Sequence, residues 1–223
     1  MNARGISVRR GQFHLAIDAF DAGTNGTALL GRNGAGKSTL LLVLQGLIPY
    51  DGVVDRPKRC AGVFAQPAVL RGSVLWNVAA IARAVIGLDE RTARKRAKKL
   101  LSRVALGDAL DLDARRLSSG QRQRLALARA LAIEPQALFL DEPFATVDAD
   151  GRPALRQLVG DYLAESRCTL VLATQNLIDV ATLCKKAMVL ENGRSVQTLD
   201  TGDIDTSQNR YLEALVAESR LVR

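Results

Sequence analysis

Short apolar runs bounded by glycine or charged residues recur along the chain: TALL at 27–30, CAGVF at 60–64, ALFL at 137–140, TLVLAT at 169–174 and KAMVL at 186–190. Between several of them lie longer segments whose apolar residues fall at helical spacing, such as STLLLVLQGL at 38–47 and GQRQRLALARALAI at 120–133. Strand-like runs alternating with amphipathic helices predict an α/β fold, a mostly parallel sheet covered by helices. From about 72 to 116 the rhythm breaks into consecutive helices rich in Ala, Arg and Lys, which reads as an inserted helical subdomain. The stretch GISVRRGQFHLAIDAF alternates and turns like an antiparallel hairpin, a small N-terminal β subdomain. A final amphipathic helix is expected from about 206 to 220. No internal repeat is visible, and a single domain over 1–223 is the expected organisation.

Composition narrows the picture. A chain of 223 residues and 24.0 kDa, with 48% hydrophobic and 24% charged residues and 18 Gly against 6 Pro, has globular values and needs no disulfide or metal to close its core. Cys60, Cys168 and Cys184 lie far apart with no CxxC pair, so neither a disulfide framework nor a zinc site is expected, and a reducing cytoplasm fits. No apolar stretch reaches the ~18 residues of a spanning helix, and MNARGISVRRG lacks a signal-peptide core. The net charge of +8 is compatible with nucleic acid, acidic lipid or small anions and does not choose among them. Part of it sits in RTARKRAKK at 91–99, which is either a solvated helix face or a patch facing a partner or membrane.

The sharpest chemical signal is GRNGAGKST at 31–39, which follows the strand-like TALL and opens the helix-like STLLLVLQGL. Gly31, Gly34 and Gly36, with Asn33 and Ala35 between them, let the backbone fold around a phosphate chain and point amides and a helix N-terminus at it. Lys37 adds a full charge at the β and γ phosphates, Ser38 a hydroxyl for Mg²⁺, and Thr39 a reach to the α-phosphate. These are the marks of a P-loop NTPase core. A hundred residues later ALFLDEP ends a buried-type strand in two carboxylates. Adjacent strand residues point to opposite faces, so Asp141 and Glu142 take different tasks, one in the Mg²⁺ shell and one polarising a water, and Pro143 ends the strand.

Between the two motifs lies RLSSGQRQRLALARAL at 116–131. Here the chain resembles the ATP-binding cassette (ABC) ATPase family: Leu117, Ser118, Ser119, Gly120 and Gln121 stand where that family has LSGGQ, with one Gly-to-Ser exchange. The resemblance runs from about 6 to 202. Ser118 and the Gly120 amide at a helix start make a second anion site, and Ser118 is equally a helix N-cap. The resemblance implies ATP and Mg²⁺ as ligands and a head-to-tail pair of cassettes, a homodimer, in which this site closes on the γ-phosphate of the opposite subunit. It also implies separately encoded transmembrane permease subunits, a place on the inner face of the cell membrane, and no nucleic acid as partner.

The family's remaining residues transfer unevenly. Gln66, in GVFAQPAVLRGSVLWNV, is the candidate for the glutamine that joins the active site to the helical subdomain and reaches the metal; counting back from Ser73 puts Ala65 there instead. Asp148 matches the aspartate that passes between the two sites, or else caps the next helix. After TLVLAT the family has a histidine on the γ-phosphate, and this chain has Gln175, which cannot carry charge near neutral pH, so slow turnover with binding intact is expected. The adenine platform falls at Arg10, with Phe13 the nearest aromatic. His14 is expected to be structural, and the short segment from 49 to 59 implies a trimmed antiparallel region. The leading expectation is the ATP-hydrolysing, energy-coupling subunit of a membrane transporter. The other readings are a nucleotide-sensing cassette with little hydrolysis and a soluble ABC ATPase acting on nucleic acid or the ribosome.

Overall fold

The computed structural model describes residues 1–23 and 26–221. Strands form at the five apolar runs: β3 (Thr27–Leu30), β5 (Cys60–Val63), β6 (Ala137–Asp141), β7 (Thr169–Ala173) and β8 (Lys186–Glu191). They pair in parallel in the order β8-β3-β7-β6-β5. The hairpin is β1 (Asn2–Arg10) and β2 (Phe13–Asp21), antiparallel. His14 is tied inside it, its Nε2 3.0 Å from the Ser7 hydroxyl.

Two strands escape the hydrophobic pattern because they are largely exposed. One, β4 (Asp51–Asp55), extends the hairpin antiparallel to β1, so the short 49–59 segment still supplies a third antiparallel strand. The other, β9 (Arg194–Asp200), runs antiparallel to β8 and meets β2 at the pair Ala16 and Arg194. Through β9 the N-terminal strands continue the parallel ones in one nine-stranded sheet, β4-β1-β2-β9-β8-β3-β7-β6-β5.

Both faces of the parallel part are covered, which is why its strands are apolar without a break. In β6, Leu138 and Leu140 enter one core while Ala137 and Phe139 enter the other; Leu170 and Leu172 against Val171 and Ala173 repeat the alternation in β7. Helix α1 (Lys37–Gln45) buries Leu40, Leu41, Val43 and Leu44 with Ile6, Leu15 and Ile17 of the hairpin on one face. The opposite core takes α2 (Val74–Ile86), α3 (Glu90–Arg103), α4 (Ser119–Ala132), α5 (Arg152–Glu165), α6 (Leu177–Leu183) and α7 (Arg210–Leu221). The last begins later than the sequence suggests because Thr201–Thr206 forms a 3-10 turn first.

The ends of the inserted helices are pinned together: the Val74 amide donates to Leu112 O (2.9 Å) and the Ala114 amide to Gly72 O (3.0 Å). Asp89 caps α3 by accepting the Thr92 amide, and Ala93, Ala97 and Leu101 form its buried stripe. Most of the 91–99 run is therefore exposed. Arg96 is the exception, donating to Ala132 O (2.8 Å) at the end of α4 and pairing with Glu134 (2.6 Å).

The three cysteines are free, and burial pushes the Cys168 and Cys184 thiols up to about 12, leaving them protonated packing groups. Among the described residues no helix is long and apolar enough to cross a membrane.

Gly193, in the turn between β8 and β9, joins three elements. Its amide donates to Ala35 O (3.0 Å), its carbonyl accepts from Ala16 (2.7 Å), and at φ +78° a Cβ would lie 2.1 Å from His14 O. Gly193→Ala should therefore cost at least about 2 kcal/mol, read as a lowered urea midpoint, because backbone cannot yield as a side chain does.

Candidate active site

The glycine loop leaves β3 at Gly31, whose φ of +145° and whose approach to Leu190 O, 2.3 Å from where a Cβ would be, exclude any side chain. Gly36 at φ +111° starts α1 with no side-chain cap, so the first-turn amides remain available to an anion. A Cβ there would press on Leu15 and Phe13 at 3.0 Å, which fixes the hairpin against the loop.

Lys37 is 7% exposed and folds back over the loop, donating to Gly31 O (2.6 Å) and Arg32 O (3.2 Å). Burial lowers its pKa, while Glu142 and Asp141 pull it back up. Those two carboxylates lie with Lys37, Ser38 and Thr39 on the wall of one cavity of about 540 Å³, the size of a small-molecule site. Asn33, Gly34 and Gly36 line the same cavity from the loop, and Arg10 and Phe13 line it from the hairpin.

Asp141 and Glu142 are separated more sharply than strand alternation requires. Asp141 ends β6 and is buried, whereas Glu142 leaves the sheet at φ +45°, a left-handed conformation rare for such a residue. The Glu142 amide is held by Ala173 O (2.9 Å) and its Oε2 lies 3.3 Å from the Thr174 hydroxyl. Burial is the largest influence on Glu142 and raises its pKa; Lys37 and Thr174 act against it.

Ala65 and Gln66 are both exposed; Ala65 lines the cavity and Gln66, the next residue, does not. β5 leaves the sheet at Val63, and two residues later the cavity wall is reached.

The residues of the 118–121 motif stand apart from this cavity. Ser118 accepts the Gln121 amide (3.3 Å), and the Gln121 side chain accepts the Ser118 amide (3.0 Å), a reciprocal cap on α4. A Cβ on Gly120 would sit 2.9 Å from Thr146 O, so this helix start packs on the segment that follows the carboxylates. Asp148 receives two hydrogen bonds from Arg124 (3.0 and 3.1 Å) and the Gly151 amide (2.7 Å), tying α4 to the start of α5. Neither Asp148 nor any of Ser118, Ser119, Gly120 and Gln121 lines the cavity.

Gln175 reaches the loop through Asn33, its Nε2 donating to Asn33 Oδ1 at 2.8 Å. Behind it stands a group that sequence reasoning did not single out: buried Thr174, and buried Asp179 of α6 paired with Arg156 of α5 at 2.5 Å. Thr174 is the polar end of an apolar strand beside the substituted histidine position, a readable signal. The Asp179 and Arg156 pair has none, being 23 residues apart. Gln123 was also missed; 1% exposed, it donates to Phe64 O (3.3 Å) and so joins α4 to the chain leaving β5.

The pattern of the family described as "ABC transporter" matches residues 22–145. The chain belongs to that family. An aliphatic sulfonates import ATP-binding protein of Paracoccus denitrificans is 39% identical over 167 residues, 74% of this chain and 66% of the relative. A second, from Paraburkholderia xenovorans, is 37% identical over 199 residues, 87% of this chain and 78% of the relative. The chain thus spans about two thirds to four fifths of these relatives' own lengths. Among solved structures, an ABC protein of Clostridium perfringens that is part of a transporter complex superposes with a TM-score of 0.77 at 25% identity, over 100% of this chain and 94% of that one. The fold and the ATP-binding character of the ABC family are those of this chain.

Proposed function

We propose that this ABC ATPase binds MgATP in the cavity under its glycine loop and hydrolyses it slowly, as the energy-coupling subunit of a membrane importer. The observation that carries the reading is the convergence of Lys37, Asp141 and Glu142 on one cavity beside uncapped helix amides. The loop fits a triphosphate: Lys37 already satisfies its ammonium with loop carbonyls, contacts that phosphate oxygens would replace. The donors near it suit a hard cation. Among the described residues no cluster of three or more His, Cys, Asp or Glu could hold a metal alone, and Mg²⁺ takes one or two protein oxygens plus phosphates. Ser38 and Asp141 would hold it, and when bound it supplies charge neutralisation on the β and γ phosphates. Glu142 polarises the attacking water, Lys37 and the loop amides stabilise charge on the γ-phosphate, and Phe13 with Arg10 packs on the base.

The anion site at Ser118–Gln121 comes to this cavity from a second copy, head to tail, since it does not line its own. Permease subunits encoded separately complete the importer on the inner face of the membrane; the two sulfonate-import relatives support this assembly.

Gln175 donates a neutral hydrogen bond where the family carries a titratable ring, so support for transition-state charge is weakened. Gln175→His should raise steady-state phosphate release about tenfold with little change in MgATP affinity. A variant no faster than the parent would mean that the amide suffices, and a parent that releases no phosphate with its membrane partners would overturn the hydrolytic reading.

A further inference from the structure

The Glu142 side chain has a single hydrogen-bond partner among the described residues, the Thr174 hydroxyl at 3.3 Å. That hydroxyl is completely buried, and its oxygen accepts the Asn176 amide at 3.1 Å, which fixes its position at the start of α6. Its one proton has two possible acceptors, Glu142 Oε2 and, at 3.5 Å, Asp179 Oδ2. Asp179 is 3% exposed, and Arg156, on a different helix, meets it in a buried pair. The arrangement joins the water-activating carboxylate to an ion pair that bridges α5 and α6.

We infer that Thr174 is a positioning residue for Glu142, its hydroxyl donating to Oε2 and so fixing the orientation in which that carboxylate meets the attacking water. This rests on the reading of Glu142 as the base. The threonine proton stays on its own oxygen. While directed at Oε2 it holds the carboxylate in one orientation and leaves Oε1 as the free acceptor for the water. Asp179 Oδ2, on a carboxylate that Arg156 holds through its other oxygen, is a second acceptor at 3.5 Å, so the hydroxyl is not left without one in the buried site. Gln175 cannot substitute, because its amide is engaged with Asn33.

Thr174→Val keeps the branched shape and removes the proton. The expected result is a fall in kcat of about tenfold with calorimetric MgATP Kd changed less than twofold, and recovery of most of the rate in Thr174→Ser. A purely structural role would lower rate, affinity and thermal midpoint together. Thr174→Cys, with a weak donor of similar size, covers the case in which the valine variant does not fold, and its kcat should fall between those of the serine variant and zero. Glu142→Gln is measured alongside. If it leaves turnover intact, the reading of Glu142 as base fails and this inference with it. If it stops turnover while Thr174→Val or Thr174→Cys runs at the parent rate, the inference alone is overturned.

Discussion

Glu142→Gln lowers steady-state phosphate release at least about a hundredfold and leaves MgATP affinity nearly unchanged, because the amide keeps the shape and the Thr174 contact but cannot accept the proton of the attacking water. Glu142 sits at φ +45°, off the end of β6, with its amide fixed to Ala173 O. The strained backbone aims the side chain into the cavity rather than along the sheet, and a residue of the same size inherits the aim. A second readout follows from the absence of residues 118–121 and Asp148 from the cavity wall. Nucleotide that is bound but not hydrolysed stabilises whatever pair of chains encloses it, so the variant should shift from monomer to dimer in size-exclusion chromatography on adding MgATP. Persistence of the monomer at saturating MgATP would remove the head-to-tail pairing.

The pH dependence of the parent carries a sign. Burial raises the Glu142 pKa, so the ionised, base-competent form appears at higher pH than for an ordinary carboxylate. Turnover therefore rises with pH through that raised value, and the same limb is missing in Glu142→Gln.

The legible part of this molecule is the part whose physics is local. A glycine loop between an apolar strand and an amphipathic helix, two carboxylates at a strand end, and a serine three residues before a glutamine at a helix start are each set by neighbours in sequence, and each stands where it was expected. The exposed strands β4 and β9 carry no hydrophobic alternation, since their place is fixed by pairing with strands distant in sequence. The choice between Gln66 and Ala65 has the same origin: one residue of loop length decides which side chain lines the cavity, and no local preference records it. Thr174 lies between the two cases. It is visible as a polar residue closing an apolar strand, but its partners Glu142 and Asp179, and Arg156 behind Asp179, come from other parts of the chain.

Lys37→Ala should weaken MgATP binding about tenfold to a hundredfold, the loss of one charge-assisted contact of roughly 1.5–3 kcal/mol to the phosphates. The folded protein is expected to survive the change. Removing the ammonium leaves the carbonyls of Gly31 and Arg32 without their donor, but the loop borders a cavity of about 540 Å³ where water can replace it. Calorimetry of the variant against the parent separates the alternatives: an unchanged Kd would mean that the loop amides alone hold the nucleotide and that this lysine is a structural strut. The parent supplies an independent check without mutation. Burial lowers the Lys37 pKa, with Glu142 and Asp141 opposing the shift, so the charge on the ammonium is lost at a lower pH than for a solvated lysine. Affinity for MgATP should accordingly fall as pH rises through that lowered value, and Lys37→Ala, already without the charge, should show no such fall.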